Sequence, residues 1–282
     1  MSSFLVLYPD VPKDALVVTT SSAFDEDYPV DNTFYGERLA YGQLAAANTS
    51  VTITYDLGTG FTRTVDHFCL GGAAVLKANG VTQATLQGSS NGSTWVNQLG
   101  TASGFQTRTF DGPDDDDLIF TAAYNDQYAA TLSAYRYWRV TLAGGAAHKF
   151  PVSKIAFGAA LDIAGSGREP DEYEVQVLTE EDSDTAEYTR GHVAMSKAFY
   201  PRHEIRVEWD LVPDVTANLV RAKLLQNPYR HTVFLYTATE LDPLHGQRLM
   251  HCRVMDSKCS IRKTGGQSTS LNTVKLVFQE MA

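Results

Sequence analysis

From Val51 onward the chain reads as short apolar-polar alternations, each closed by a turn, and this most constrains what it can become. Val51 to Asp56 alternates and is closed by Gly58 and Gly60. Val65 to Gly71 is more continuously apolar, as expected of a strand covered on both faces. Asn79-Gly80 and Asn91-Gly92 are turn signals, because both residue types tolerate positive φ between paired strands. Tyr135 to Leu142 predicts a central strand, and Val152 to Gly158 a further one. Such a chain predicts a mainly β fold in which sheets pack face to face.

The length of 282 residues suggests two domains, and a hydrophobic fraction of 43% is enough to bury cores in both. The best boundary is Ala164-Gly-Ser-Gly-Arg-Glu-Pro170. The expected organisation is a β-sandwich over 1–163, an acidic linker or assembly loop over 164–187, and a second β domain over 188–282. In the second domain His203 to Leu211 alternates, with Ile205, Val207, Trp209 and Leu211 on one face. Thr216 offers an N-cap, a helix is predicted over 217–226, and Asn227-Pro228 stops it. Strands follow at Thr232 to Tyr236, Gln247 to Met255 and Thr273 to Gln279, giving a small barrel or sandwich with one helix. Near the N-terminus, Phe4 to Tyr8 and Ala15 to Thr20 read as strands joined by a turn at Pro9 to Pro12.

The formal charge of −10 is uneven. Residues 1–165 carry 9 Lys+Arg against 16 Asp+Glu, and residues 190–282 carry 13 against 8. Between them, 168–187 holds nine acids and one Arg. An acidic chain of this kind is poorly suited to neutralising a nucleic-acid backbone. The asymmetry fits complementary protein surfaces, or a solvated surface with an acidic loop. Three cysteines, Cys69, Cys252 and Cys259, do not make a disulfide scaffold, and the pairing of the last two is open. The N-terminus lacks the pattern of a secretory signal, which points to a protein made and kept in a cytoplasm.

No Gly-x-Ser-x-Gly elbow or phosphate loop occurs, so no enzyme is expected. His245, His251, Cys252 and Cys259 lack zinc-ligand spacing, and neighbours on one strand point to opposite faces. The irregular stretch from Asp25 to Ala47 is long for a loop without a role. Its Tyr28, Asp31, Tyr35, Arg38 and Tyr41 could stack on and hydrogen-bond a sugar ring, or form a protein interface. Asp25, Asp27 and Asp31 could supply oxygens to a calcium ion, although the Gly and terminal Glu of a helix-loop-helix calcium site are missing. No other cofactor is expected.

Ser21-Ser-Ala-Phe24, Asp31-Asn32, Ser89-Ser-Asn-Gly-Ser-Thr-Trp95 and Tyr135-Arg-Tyr-Trp-Arg-Val140, in that order, resemble the discoidin-like, galactose-binding-like jelly roll, also known as the coagulation-factor C-type domain. The resemblance covers about residues 14 to 160. It implies a scaffold role for Trp95, Arg136, Trp138 and Arg139, with Trp95 packed between two sheets and an arginine bridging loops. It also implies galactose-like glycan binding at the loops. The family's usual Thr-x-Trp after the early Asn is replaced here by Arg38-Leu-Ala-Tyr41-Gly42.

The pattern from His203 to Gln279 resembles the ring-forming domain of long-tailed bacteriophage tail proteins. Together the two resemblances imply a distal or minor tail protein. Such a protein would form a homohexameric ring at the tail tip, assembled in the host cytoplasm, contacting tail tube and hub proteins. DNA would pass through its channel without specific binding. The alternative is a carbohydrate-binding module for a host glycan.

Overall fold

The computed structural model describes residues 4–7, 10–34, 41–65, 67–71, 76, 79–103, 118–121, 133–152, 154–161, 163, 170–178, 202–226, 233–237, 248–255, 258–263 and 271–280. The protein is mainly β, with antiparallel pairing throughout these residues. A five-stranded sheet is built from β2 (Val17–Thr20), β4 (Asn48–Asp56), β6 (Val81–Ser89), β7 (Val96–Ser103) and β9 (Tyr137–His148), in the order β2-β4-β9-β6-β7. A three-stranded sheet joins β5 (His67–Gly71), β8 (Leu118–Thr121) and β11 (Lys154–Gly158), in the order β11-β5-β8. A short pair, β3 (Gly42–Gln43) with β10 (Pro151–Val152), closes one side.

Alternation along the strands explains why the two sheets pack face to face. Val51, Ile53 and Tyr55 of β4 point inward, as do Trp138, Val140 and Leu142 of β9. They meet Phe68, Leu70, Ile155 and Phe157 from the three-stranded sheet in one core. Tyr55 and Trp138 both pack against Phe157, at ring separations of 5.2 and 6.2 Å. Each fully buried large side chain contributes about 1.5–3 kcal/mol, so Trp138 and its neighbours hold the sandwich together. A helical turn, α1 (Asp10–Asp14), covers β11 and sends Val11 into this core.

The second sheet holds eight strands. β1 (Phe4–Leu7), β12 (Ala160–Leu161), β13 (Glu172–Leu178), β14 (Arg202–Pro213), β15 (Val233–Thr237), β16 (Arg248–Val254) and β18 (Leu271–Glu280) run in the order β12-β1-β15-β16-β18-β14-β13. β17 (Ser260–Lys263) pairs with β18 beside β16. Helix α2 (Asp214–Val220) and a following π-type turn (Arg221–Leu225) lie on this sheet. They bury Ala217, Val220 and Leu224 against Ile205, Val207, Trp209, Val274, Leu276 and Phe278.

Several boundaries differ from the sequence expectation. Strand β1 does not pair with β2: Val6 faces Leu161 on one side and Leu235 on the other. The sandwich is therefore inserted between strands of the second sheet, and neither 1–163 nor 188–282 is a closed unit. Of the turn expected at Pro9 to Pro12, Asp10 to Pro12 is helical, and Pro9 lies outside the described residues. Within the expected linker, Glu172–Leu178 is a strand paired along its length with β14. The helix starts at Asp214 after Pro213, not at 217, and Thr216 lies inside it without capping. None of the three cysteines is in a disulfide, and the Cys259 thiol donates to the Met255 carbonyl at 3.3 Å. His245 lies outside the described residues.

Candidate functional site

Two chain segments cross at the edge of the sandwich and hold each other through backbone bonds. The Asp25 amide donates to Gln43 O at 2.8 Å, Gln43 donates to Tyr28 O at 3.0 Å, and Ala45 donates to Ala23 O at 3.0 Å. Gly42 makes the crossing feasible, since a Cβ there would meet Phe24 Cε1 and Thr33 Cγ2 at 2.9 Å. The crossing brings Tyr28 and Tyr41 into a stack with centroids 4.7 Å apart and an interplanar angle of 14°. Tyr28 is 37% exposed and Tyr41 half-buried. A hydrogen bond with Tyr28 holds the Tyr41 hydroxyl proton more tightly than usual, and burial and the Asp25 charge act the same way.

The turn below this pair is pinned from several sides. Asn32 Nδ2 donates to Tyr41 O at 3.2 Å, and the Thr33 hydroxyl donates to Val30 O at 2.7 Å. Lys154, itself buried, donates its ammonium to Asn32 O at 3.2 Å. Lys13 is also buried, and its pKa falls from 10.5 to about 7, mainly through burial and then through the Lys154 charge. Sequence reading missed both lysines. The one signal was Lys154 at the start of an apolar run, Lys-Ile-Ala-Phe-Gly, every residue of which is buried.

Of the predicted loop residues, Tyr28, Asp31 and Tyr41 belong to this crossing, while Tyr35 and Arg38 lie outside the described residues. The calcium expectation is corrected. Asp25 Oδ1 accepts the Asp27 amide at 3.0 Å in a local turn. No group of three or more His, Cys, Asp or Glu side chains among the described residues is placed to hold a metal ion, so Asp25, Asp27 and Asp31 do not converge.

The scaffold residues have defined places. Arg136 grips Asp56 with two bonds, at 2.7 and 2.8 Å, tying the end of β4 to the start of β9. The guanidinium holds the Asp56 carboxyl below its usual range, and the Gly58 amide adds to this. Trp138 is fully buried and donates its indole N–H to Tyr135 O at 3.2 Å. Trp95 is not between the sheets. It lies half-buried on the outer face of the five-stranded sheet, with the Arg139 guanidinium 4.2 Å above its ring. Arg139 in turn donates to Gln87 Oε1 at 2.6 Å. Strand parity decides this, because Arg139 alternates with the inward Trp138 and Val140.

On the second sheet a shallow cavity of about 380 Å³ is lined by Glu172, Glu174, Arg206, Val207, Glu208 and Lys275. Ion pairs cross it, with Arg206 to Glu174 at 3.6 Å and Lys275 to Glu208 at 3.6 Å. Beside it the buried Glu204 carboxylate is held by Arg206 at 2.7 Å and Lys258 at 2.5 Å.

No family model matches the chain, and no curated protein matches it. Solved structures do. One is a carbohydrate-binding module (CBM32-1) of a family 31 glycoside hydrolase from Clostridium perfringens, at 14% identity and a TM-score of 0.37, covering 54% of this chain and 99% of that one. Another is chitosan-binding module 1 from a chitosanase/glucanase of Paenibacillus sp. IK-5, at 18% identity and a TM-score of 0.36, covering 51% of this chain and 94% of that one. At this level of similarity, they carry no conclusion about what this chain binds.

Proposed function

We propose that this is a non-catalytic carbohydrate-binding protein whose sandwich presents the Tyr28–Tyr41 face to a galactose-like sugar ring. The observation that carries the reading is the stacked tyrosine pair, held by a backbone crossing that needs Gly42. A pyranose offers an apolar face of C–H groups, which an aromatic ring accepts, and hydroxyls, which nearby carboxylates accept as donors. Asp25, Asp27 and Asp31 flank Tyr28 in sequence and would supply those acceptors. Because the tyrosines are already ordered, binding costs little side-chain entropy.

The test is affinity electrophoresis or a glycan array on the full chain beside its Tyr28→Ala and Tyr41→Ala variants. Retention by the parent chain and loss in both variants is the expected result. Equal retention in all three would refute the site, and no retention of any glycan would refute the function. A tail-tip ring subunit is the second reading, and the insertion of the sandwich within the second sheet favours it. Two chain connections hold an inserted domain more firmly than one, as a decoration on a ring requires. Closed rings in negative-stain images would decide for it.

A further inference from the structure

In a regular β14 the alternation of Ile205, Val207 and Trp209 would carry Leu211 into the core. It does not. Trp209 pairs with Val274 and Val212 with Asn272, so one extra residue of β14 is accommodated in a bulge. Val212 takes the buried place at 0% exposure, and Leu211 is turned outward at 54%. Among the described residues Leu211 is the one non-glycine residue with positive φ, at 56°. A γ-branched side chain pays a conformational penalty there.

The bulge is braced so that this conformation persists. The Asp210 amide donates to Asp171 Oδ2 at 2.7 Å, and the Thr273 hydroxyl donates to Asp210 Oδ1 at 2.6 Å. The Asn272 amide donates to Val212 O at 3.3 Å and to Asp214 Oδ1 at 2.6 Å. The strand thus leads into α2, whose outer side carries Val215 at 82% and Leu219 at 45% exposure. These two are spaced i, i+4 and lie opposite the buried Ala217, Val220 and Leu224. Three large apolar side chains within nine residues are thus exposed, one of them held outward against its own backbone preference.

The charges flanking this surface select its partner. Asp210 and Asp214 stand at its N-terminal end, and Arg221 and Lys223 at its C-terminal end. We propose that Leu211, Val215 and Leu219 form a two-fold contact with a second copy of this chain, helix against helix and antiparallel. In that arrangement apolar meets apolar at the centre, and the acidic end of each helix faces the basic end of its partner. The helix dipoles oppose each other as well. A parallel arrangement would set like charges side by side. The contact lies in the second sheet and is independent of the Tyr28–Tyr41 face.

Sedimentation velocity of the full chain over a concentration series tests this. The expected result is a reversible monomer–dimer equilibrium weakened by salt. Leu219→Ser is expected to raise the dissociation constant at least about tenfold, given the apolar area it removes. The double variant Leu211→Asn with Val215→Ser is expected to be monomeric, with an unchanged or higher melting temperature, because Asn tolerates the left-handed backbone. A parent chain that stays monomeric at every concentration would overturn the proposal. So would a dimer indifferent to these substitutions, or a ring of more than two copies that they leave intact. Glycan retention is read separately on the same samples, so failure of the sugar site leaves this result standing.

Discussion

Replacing Lys13 by Met should make the protein more stable at neutral pH and remove a rise of stability with alkalinity. Lys13 is 6% exposed and lies close enough to the buried Lys154 to feel its charge. Its pKa is about 7 in the folded chain against 10.5 ordinarily. Between these values the unfolded chain binds a proton that the folded chain does not, so stability increases with pH across the window. Below about pH 7 both states are protonated and the contribution is flat. The gap, 10.5 − 7 = 3.5 pH units, is worth at most about 5 kcal/mol. Within the window the slope approaches about 1.4 kcal/mol per pH unit, so moving from pH 7 to pH 9 should add about 2 kcal/mol. The upper limit comes from Tyr55, whose hydroxyl burial raises above its ordinary 10.0. Above that pH the unfolded chain ionises first, and stability falls again. Urea midpoints at pH 7, 8 and 9 measure this directly. The parent chain should rise across the series, and Lys13→Met should be nearly flat and more stable at pH 7 by about 2–4 kcal/mol. A Met variant that keeps the slope, or is less stable at pH 7, would show that the Lys13 ammonium is stabilised where it lies and would refute the reasoning.

Two further outcomes follow from packing and charge. Gly88→Ala drives a Cβ into the Tyr135 ring, whose Cε2 and Cγ lie 2.8 Å from its position. It should cost about 1–3 kcal/mol in thermal unfolding, and adding Tyr135→Ala should recover part of that loss. Burial pushes the Glu204 carboxyl up, but hydrogen bonds from Lys258 and Arg206 outweigh it and hold the pKa below 4.5. Its stabilisation is therefore present above pH 4.5 and lost as the pH falls through the lower folded value. Glu204→Gln should cost about 1–3 kcal/mol at pH 7, discounted for the partly exposed partners. Unfolding titrations of the variant should also show a shallower acid limb than the parent.

The sandwich was legible in the sequence because its determinants are local. The alternation of Val51, Ile53 and Tyr55 has a period of two and survives in β4. Asn91-Gly92 forms the expected turn, with Gly92 at φ 74° and the Ser89 hydroxyl accepting its amide at 3.0 Å. Trp138, read as scaffold, is the largest fully buried side chain among the described residues. Trp95 shows where motif reading fails. Its residue type suits a core, yet the parity of the strand facing it set Arg139 over its ring on the outside.

Sequence alone determined what depends on near neighbours: strand periodicity, the Asn91-Gly92 turn, a helix ahead of Asn227-Pro228, and too few cysteines for a disulfide scaffold. Tertiary structure decided what depends on residues far apart in the chain. Val6 joins Leu161 and Leu235 because the second sheet offers it two strand edges, and no pattern near Val6 records that. Tyr28 meets Tyr41 because a backbone crossing brings thirteen residues of chain back on itself. Leu211 faces solvent because Asp171, Asn272 and Thr273, up to 62 positions away, hold the bulge. In each case the pairing free energy comes from long-range partners, and it overrides what the local alternation alone would favour.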